Sequence, residues 1–334
     1  MVNKTKQKPY WIILVMLIGL TVFSALLGLR CGSADLTLQQ VVDGLLHPGT
    51  QTPPSQILWV VRLPHVAACL LAGVGLAVSG VLLQTATGNP LAGPNIIGVN
   101  AGAGFATVLG LCLAPMAYRL LPVMAFAGAL ACAMLTVAVA GVTGGSRHSI
   151  VLAGVAVSSL LSAGISMLKL LFPELSLAYN YFSVGGVSGV GFGELVLPGL
   201  MILAVFLTTW VLGGRLNLLC LGDALAGSLG VRVKSLRAVS LILASACAGA
   251  AVSFAGLLGF VGLMVPHMGR RLLGSADIRK LLPLSALLGA SLVILADLLG
   301  RVLFAPSEIP AGIVTAFIGA PFFFVLLLQR GNRL

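Results

Sequence analysis

Of 334 residues, 59% are hydrophobic and only 8% charged, with a formal net charge of +11. So few charges cannot clothe a soluble domain of this length, which excludes a soluble fold. Long unbroken apolar runs in place of period-two alternation exclude a membrane β-barrel as well.

Taken in chain order, Lys4, Lys6 and Lys8 precede an apolar run over 10–29 that imitates a secretory signal. The run is longer than a usual signal core, and Arg30 stands before Cys31, where a lipoprotein signal needs a small residue. It is therefore expected to be the first membrane helix. A helix crossing the bilayer needs roughly 20 mostly apolar residues. Further runs at 58–86, 95–112, 120–141, 150–171, 194–213, 237–255, 261–272, 281–302 and 310–329 predict an all-α protein of about ten transmembrane helices. The eighth run is too short to cross alone, so the glycine-rich stretch 256–262 must contribute non-helical backbone, which a membrane tolerates only when it is buried or lines a cavity. Spans 2–5 and 7–10 form comparable units separated by one crossing, as an inverted repeat would. One transmembrane domain, residues 1–334, is expected.

The basic residues sit in short loops, so topology rather than nucleic acid accounts for the charge. With the N-terminus in the cytoplasm, that side receives Lys4, Lys6, Lys8, Arg147, Arg215, Arg232, Lys234, Arg237, Arg270, Arg271, Arg279, Lys280, Arg330 and Arg333. The outside receives only Arg30, Arg62, Arg119, Lys169 and Arg301. This asymmetry places both termini in the cytoplasm. The six cysteines have no metal-ligand spacing and read as small core residues, and no pair among the four histidines is spaced for a metal, so no bound metal is expected.

The cytoplasmic segment at about 214–236 carries apolar residues at helical spacing, Asp223, small residues and a basic second half. A short amphipathic helix, a glycine break and a second short helix would make a knob that docks in a groove on another protein, or one that rests on anionic lipid. No GxxxxGK[ST] phosphate loop and no GK dipeptide occurs, so the chain is not itself an ATPase. Every acid except Asp297 lies in a loop or at a span end, unlike an ion-coupled carrier, which places ionisable groups at mid-membrane. Paired catalytic carboxylates and triads are absent, which disfavours an intramembrane enzyme.

Six pieces of sequence, in order, resemble the permease family of binding-protein-dependent ABC importers for iron siderophores, haem and cobalamin. They are RLPH at 62–65, LAVSGVLLQTATGNPLAGPNIIGVNAGAG at 76–104, LGDALAGSLGV at 221–231, GFVGLMVPHMGR at 259–270, LLPLSALLGASLVILADLLGR at 281–301 and EIPAGIVTAFIGAPFFFVLLL at 308–328. The resemblance implies a homodimer in the bacterial inner membrane, with two ATP-hydrolysing subunits below, a periplasmic binding protein above, and ATP bound only on the partner subunits. Among family cargoes the overall run of the sequence looks most like haem permeases, with siderophore and cobalamin permeases as alternatives. An ion-coupled secondary transporter is the alternative from a different class.

The resemblance also assigns residue roles. Leu221, Gly222, Asp223, Ala224, Ala226, Gly227 and Gly230 would couple to the ATPase. Asn89, Pro90 and Leu91, with Ser146, Arg147 and His148, occupy turns that would narrow the inner end of the path. Gly154, Ser158, Ser159, Ser162 and Ser166 form a small, weakly polar stripe that would line it or pack against a neighbouring helix. Arg62 and Arg301, at the outer mouth, would dock carboxylates of the binding protein. His65 stands where the family often has arginine, so docking would depend on pH near 6.5, histidine's approximate unperturbed pKa. Asp297 and Arg301 are four apart on one helix face, and their pairing is the competing account of the arginine.

Overall fold

In the computed structural model, residues 9–32, 36–48, 52–303, 305 and 307–331 are described, and among them there is no strand. Lys4, Lys6, Lys8 and Arg333, which the topology argument uses, lie outside the described residues. The ten principal helices are α1 (Tyr10–Arg30), α4 (Leu63–Thr87), α5 (Val99–Leu113), α6 (Leu121–Val142), α7 (Arg147–Leu171), α9 (Phe192–Cys220), α11 (Val233–Ala255), α12 (Val261–Leu273), α13 (Ile278–Val302) and α14 (Ala311–Gly331). Shorter helices α2 (Leu38–Leu46), α3 (Pro53–Gln56), α8 (Leu175–Val184) and α10 (Asp223–Ser228) lie between them. A π-helical turn at Ile57–Arg62 joins α3 to α4. Seven helical stretches among the described residues are long and apolar enough to cross a membrane by themselves, while α5 and α14 are shorter apolar helices.

The long runs fold as helices because bare backbone has no hydrogen-bonding partner in hydrocarbon, so each segment satisfies its own. Helix α4 is the hub: buried through most of its length, it packs on α13 and α11, and more lightly on α12 and α9. Close approach depends on glycine. A Cβ at Gly73 would collide with the Gly289 carbonyl, and one at Gly80 with the Gly262 carbonyl, so backbone lies on backbone at both crossings. This is how membrane helices gain packing energy without a hydrophobic drive between them. The pairings also repeat: α4 with α13 has its counterpart in α11 with α6, and α5 with α6 in α12 with α13, as two related four-helix units would give. Large apolar side chains exposed along α1, α7 and α9 suit a surface facing lipid or another subunit.

The expected irregular stretch before α12 is present. Leu257 N–H donates to Phe182 O, Gly186 N–H to Ala255 O and Gly312 N–H to Gly185 O, so three broken segments satisfy one another's backbone. Phe260 closes this stretch at φ 64°, in the left-handed region, with its side chain against Gly319 of α14. It is the only non-glycine at positive φ among the described residues.

Two features differ from the sequence expectation. Helix α9 runs on to Cys220, and after α10 and Gly230 the chain enters α11 directly, so the expected second short helix is the first turn of α11. Helices α2 and α8 were not foreseen, being too short to cross. For α2 the signal was a capping box: Thr37 Oγ1 accepts from Gln40 N–H while the Gln40 side chain accepts from Thr37 N–H.

Candidate functional site: two charged ends of one helix bundle

The two ends of α4 carry two charged clusters, built differently. At the Leu63 end the site residues are interior. Arg62, His65, Asp297 and Arg301 are all less than a tenth exposed. His65 Nε2 lies 2.9 Å from Asp297 Oδ1, and Arg301 Nε donates to Asp297 Oδ2 at 2.9 Å. Further arginine donors turn to the C-terminal end of α1, whose last carbonyls have no intrahelical partner. Arg62 Nη1 donates to Leu29 O at 3.0 Å and Arg301 Nη1 to Cys31 O at 3.2 Å, beneath the Gly32 turn. Positive charge there also suits the negative end of the helix dipole.

Both guanidinium groups that the resemblance would give to docking are buried and bonded within the chain. The Asp297 and Arg301 pair is formed, with His65 as a third member that the sequence did not link to it. Cys69, one turn beyond His65, also faces this group. The ligand atoms of His65, Cys69 and Asp297 lie within 4.8 Å of one another, but both carboxylate oxygens are already engaged by His65 and Arg301.

At the other end, three segments far apart in sequence meet. Asn89 makes a tight turn in which its Oδ1 accepts from Leu91 N–H at 2.9 Å, with Pro90 between them. The second turn is capped by Ser146, whose Oγ accepts from Ser149 N–H at the start of α7, with His148 exposed beside it. Arg147 turns back from α7 and packs on Gly88, a φ 62° glycine at which any Cβ would strike the guanidinium. The third segment is α10. Its Asp223 Oδ1 accepts from Arg147 Nη2 at 3.0 Å and from Arg237 Nη2 at 2.6 Å. The hydrogen bond from Arg237, and then the positive charge of both arginines, hold the Asp223 carboxyl below the ordinary carboxylate range. A lowered pKa means the contact is complete at neutral pH and is lost only as pH falls through that lowered value.

Helix α10 also presents an apolar edge. Leu225 on the helix, and Leu221 and Leu229 flanking it, are each more than half exposed, whereas Ala226 is fully buried against the chain. Ala224 and Gly227 are exposed too, and a Cβ at Gly227 would meet nothing. Gly222 at φ 105° and Gly230 at φ 81° set the entry and exit of the knob, so substitution there strains the backbone whatever docks on it. Sequence reasoning named Leu221 but missed Leu225, Leu229 and Arg237, although the four-residue leucine spacing was visible.

The small-residue stripe on α7 divides. Gly154 is buried against the 94–97 turn, where a Cβ would strike the Ile96 carbonyl, and Ser158 is partly buried beside Gly98 and Cys132. Ser159, Ser162 and Ser166 are exposed. Ser162 and Ser166 border an open pocket of about 370 Å³ with Lys169 and Tyr179, the ammonium lying 4.9 Å from the ring centre.

Comparison with known proteins agrees with this architecture. The chain is 36% identical over 332 residues to the Fe(3+)-citrate import system permease protein YfmE of Bacillus subtilis, covering 99% of this chain and 98% of that one. It is 38% identical over 327 residues to the ferric enterobactin transport system permease protein FepD of Escherichia coli, covering 96% and 95%. A solved inward-facing conformation of a metal-chelate type ABC transporter superposes with a TM-score of 0.82 at 32% identity, covering 96% of this chain and all of that one. The description of the FecCD transport family matches residues 20–329, and the chain belongs to that family.

Proposed function

We propose that this chain is the membrane permease of a bacterial importer that moves a ferric chelate of the citrate or siderophore class from periplasm to cytoplasm, using ATP hydrolysed by separate subunits. The observation that carries the reading is the set of exposed leucines on and flanking α10, beside two inner turns, in a chain with no phosphate loop of its own. Cargo class rests on the relatives, whose names specify ferric citrate and ferric enterobactin. The expectation of haem rested on the general run of the sequence and gains nothing from them.

In this reading the chain sits in the inner membrane as a homodimer with ten spans and both termini in the cytoplasm. The charge asymmetry supports that orientation, with the α10 end inward and the Arg62 end outward. Spans 2–5 and 7–10 then have opposite topologies, and the repeated pairings become an inverted repeat. The exposed serines of α7 line the path, the turns at 89–91 and 146–148 narrow it, and two ATPases dock on α10. A periplasmic binding protein docks outside, where Arg62 and Arg301 act by fixing the end of α1. An ion-coupled carrier fits less well, since Asp297 is held by two cationic or hydrogen-bonding partners and Glu194 stands in the first turn of α9, at the span's end.

Gly227→Leu tests the docking site. The added side chain meets nothing in this chain, so folding and insertion are expected to stay intact while ATPase subunits co-purify several-fold less well. Normal co-purification and ATP-driven uptake by this variant would show that α10 is not the ATPase contact.

A further inference from the structure

Arg237 stands at the start of α11, is 3% exposed, and uses its whole fork on three different segments. Nε donates to Ala86 O at 3.0 Å, in the last turn of α4 just before Asn89. Nη1 donates to Gly145 O at 3.0 Å, beside Ser146, and Nη2 to Asp223 at 2.6 Å on α10. Arg147 adds a second link from the α7 turn to the same carboxylate oxygen, with its guanidinium against Gly88 of the α4 turn. Both inner turns and the coupling helix are thus joined through two guanidinium groups and one carboxylate.

We propose that Asp223, Arg237 and Arg147 form a charged latch that makes α10 and the two inner turns move as one body, so that displacement of α10 by the ATPase is transmitted to the inner gate. This rests on the transport reading above. Planar guanidinium suits the task, because it presents donors in a fixed fork to acceptors on different elements. An ammonium at the same position would carry the charge with its three donors on one atom, whereas Arg237 meets its acceptors from three separate nitrogens. Arg237 and Arg147 are positioning residues: neither need touch cargo or nucleotide. Simple capping of α4 by Arg237 would explain the bond to Ala86 O, but not why the same group also holds α10 and the 145 turn.

The test is uptake per ATP hydrolysed, measured on the complete transporter with its ATPase subunits and binding protein in proteoliposomes, using ferric citrate and ferric enterobactin as probes. In Arg237→Lys the ratio is expected to fall roughly tenfold, the factor that corresponds to about 1.4 kcal/mol. Arg147→Gln removes a partly exposed ion pair, and a fall of about two- to fivefold is expected. ATP hydrolysis should persist in both, because the latch lies between α10 and the gate and not at the nucleotide. Adding Asp223→Asn to Arg147→Gln should lower the ratio by less than the product of the separate effects, since both act through one contact. Ratios equal to wild type, or uptake and hydrolysis falling in step, would overturn the latch. Should Arg237→Lys fail to assemble, Arg147→Gln alone decides between these outcomes. Absence of ATP-driven uptake in the wild-type transporter would instead overturn the transport reading.

Discussion

Asp297→Ala is expected to destabilise the folded chain by about 3–5 kcal/mol, the usual cost of removing one partner from a buried ion pair. Among the described residues the carboxylate is the one acidic group bonded to Arg301, and it also holds His65; both are buried beside the end of α1. Without it the guanidinium keeps the carbonyls of Cys31 and Gly28 but not its counter-charge. Replacing both members, Asp297→Leu with Arg301→Met, should be less damaging than Asp297→Ala alone, because no uncompensated charge remains. Thermal unfolding of the detergent-solubilised chain, followed by tryptophan fluorescence, measures this. An Asp297→Ala midpoint equal to wild type would mean that the cluster contributes nothing to the fold.

Gly80→Ala is expected to be nearly as severe. Its Cβ would fall on the Gly262 carbonyl, a backbone atom held in place because Gln84 also donates to it at 3.3 Å. Overpacking into side chains costs about 1–3 kcal/mol, and here α4 and α12 must separate because no flexible side chain can give way. Gly19→Ala is the matched control, since nothing lies within 4 Å of a Cβ there. Yield of monodisperse protein and unfolding temperature should drop for Gly80→Ala and stay unchanged for Gly19→Ala. Equal behaviour of the two would refute the close crossing of α4 and α12.

The long apolar helices were legible because hydrocarbon thickness forces a length and a composition on a crossing. Each of the ten expected runs overlaps a principal helix, and seven of the described stretches are long and apolar enough to cross by themselves, although α9 runs on past the expected end to Cys220. The break before α12 was legible for the same reason, since a run over 261–272 is too short for the bilayer. Which face of a helix each residue occupies was much less legible. That Arg62 and Arg301 are buried was not legible, because apolarity all round a membrane helix hides which side meets protein. His65 with Cys69, and Asp297 with Arg301, each stand four apart, so two half-clusters were visible. That the halves face each other depends on the α4 and α13 crossing at Gly73 and Gly289, which no spacing along one segment encodes. Arg237 was counted only as a topological charge for a similar reason. Its three acceptors lie on α4, on the turn before α7 and on α10, at sequence separations of 151, 92 and 14 residues.

The central claim is that the chain supplies a path and separate subunits supply the energy. Its most direct test is uptake of radiolabelled ferric citrate or ferric enterobactin into proteoliposomes, with the chain alone or with its ATPase subunits and binding protein. The account predicts uptake only with the ATPase and ATP present, insensitive to collapse of proton and sodium gradients. Uptake by the chain alone, driven by an ion gradient, would contradict it.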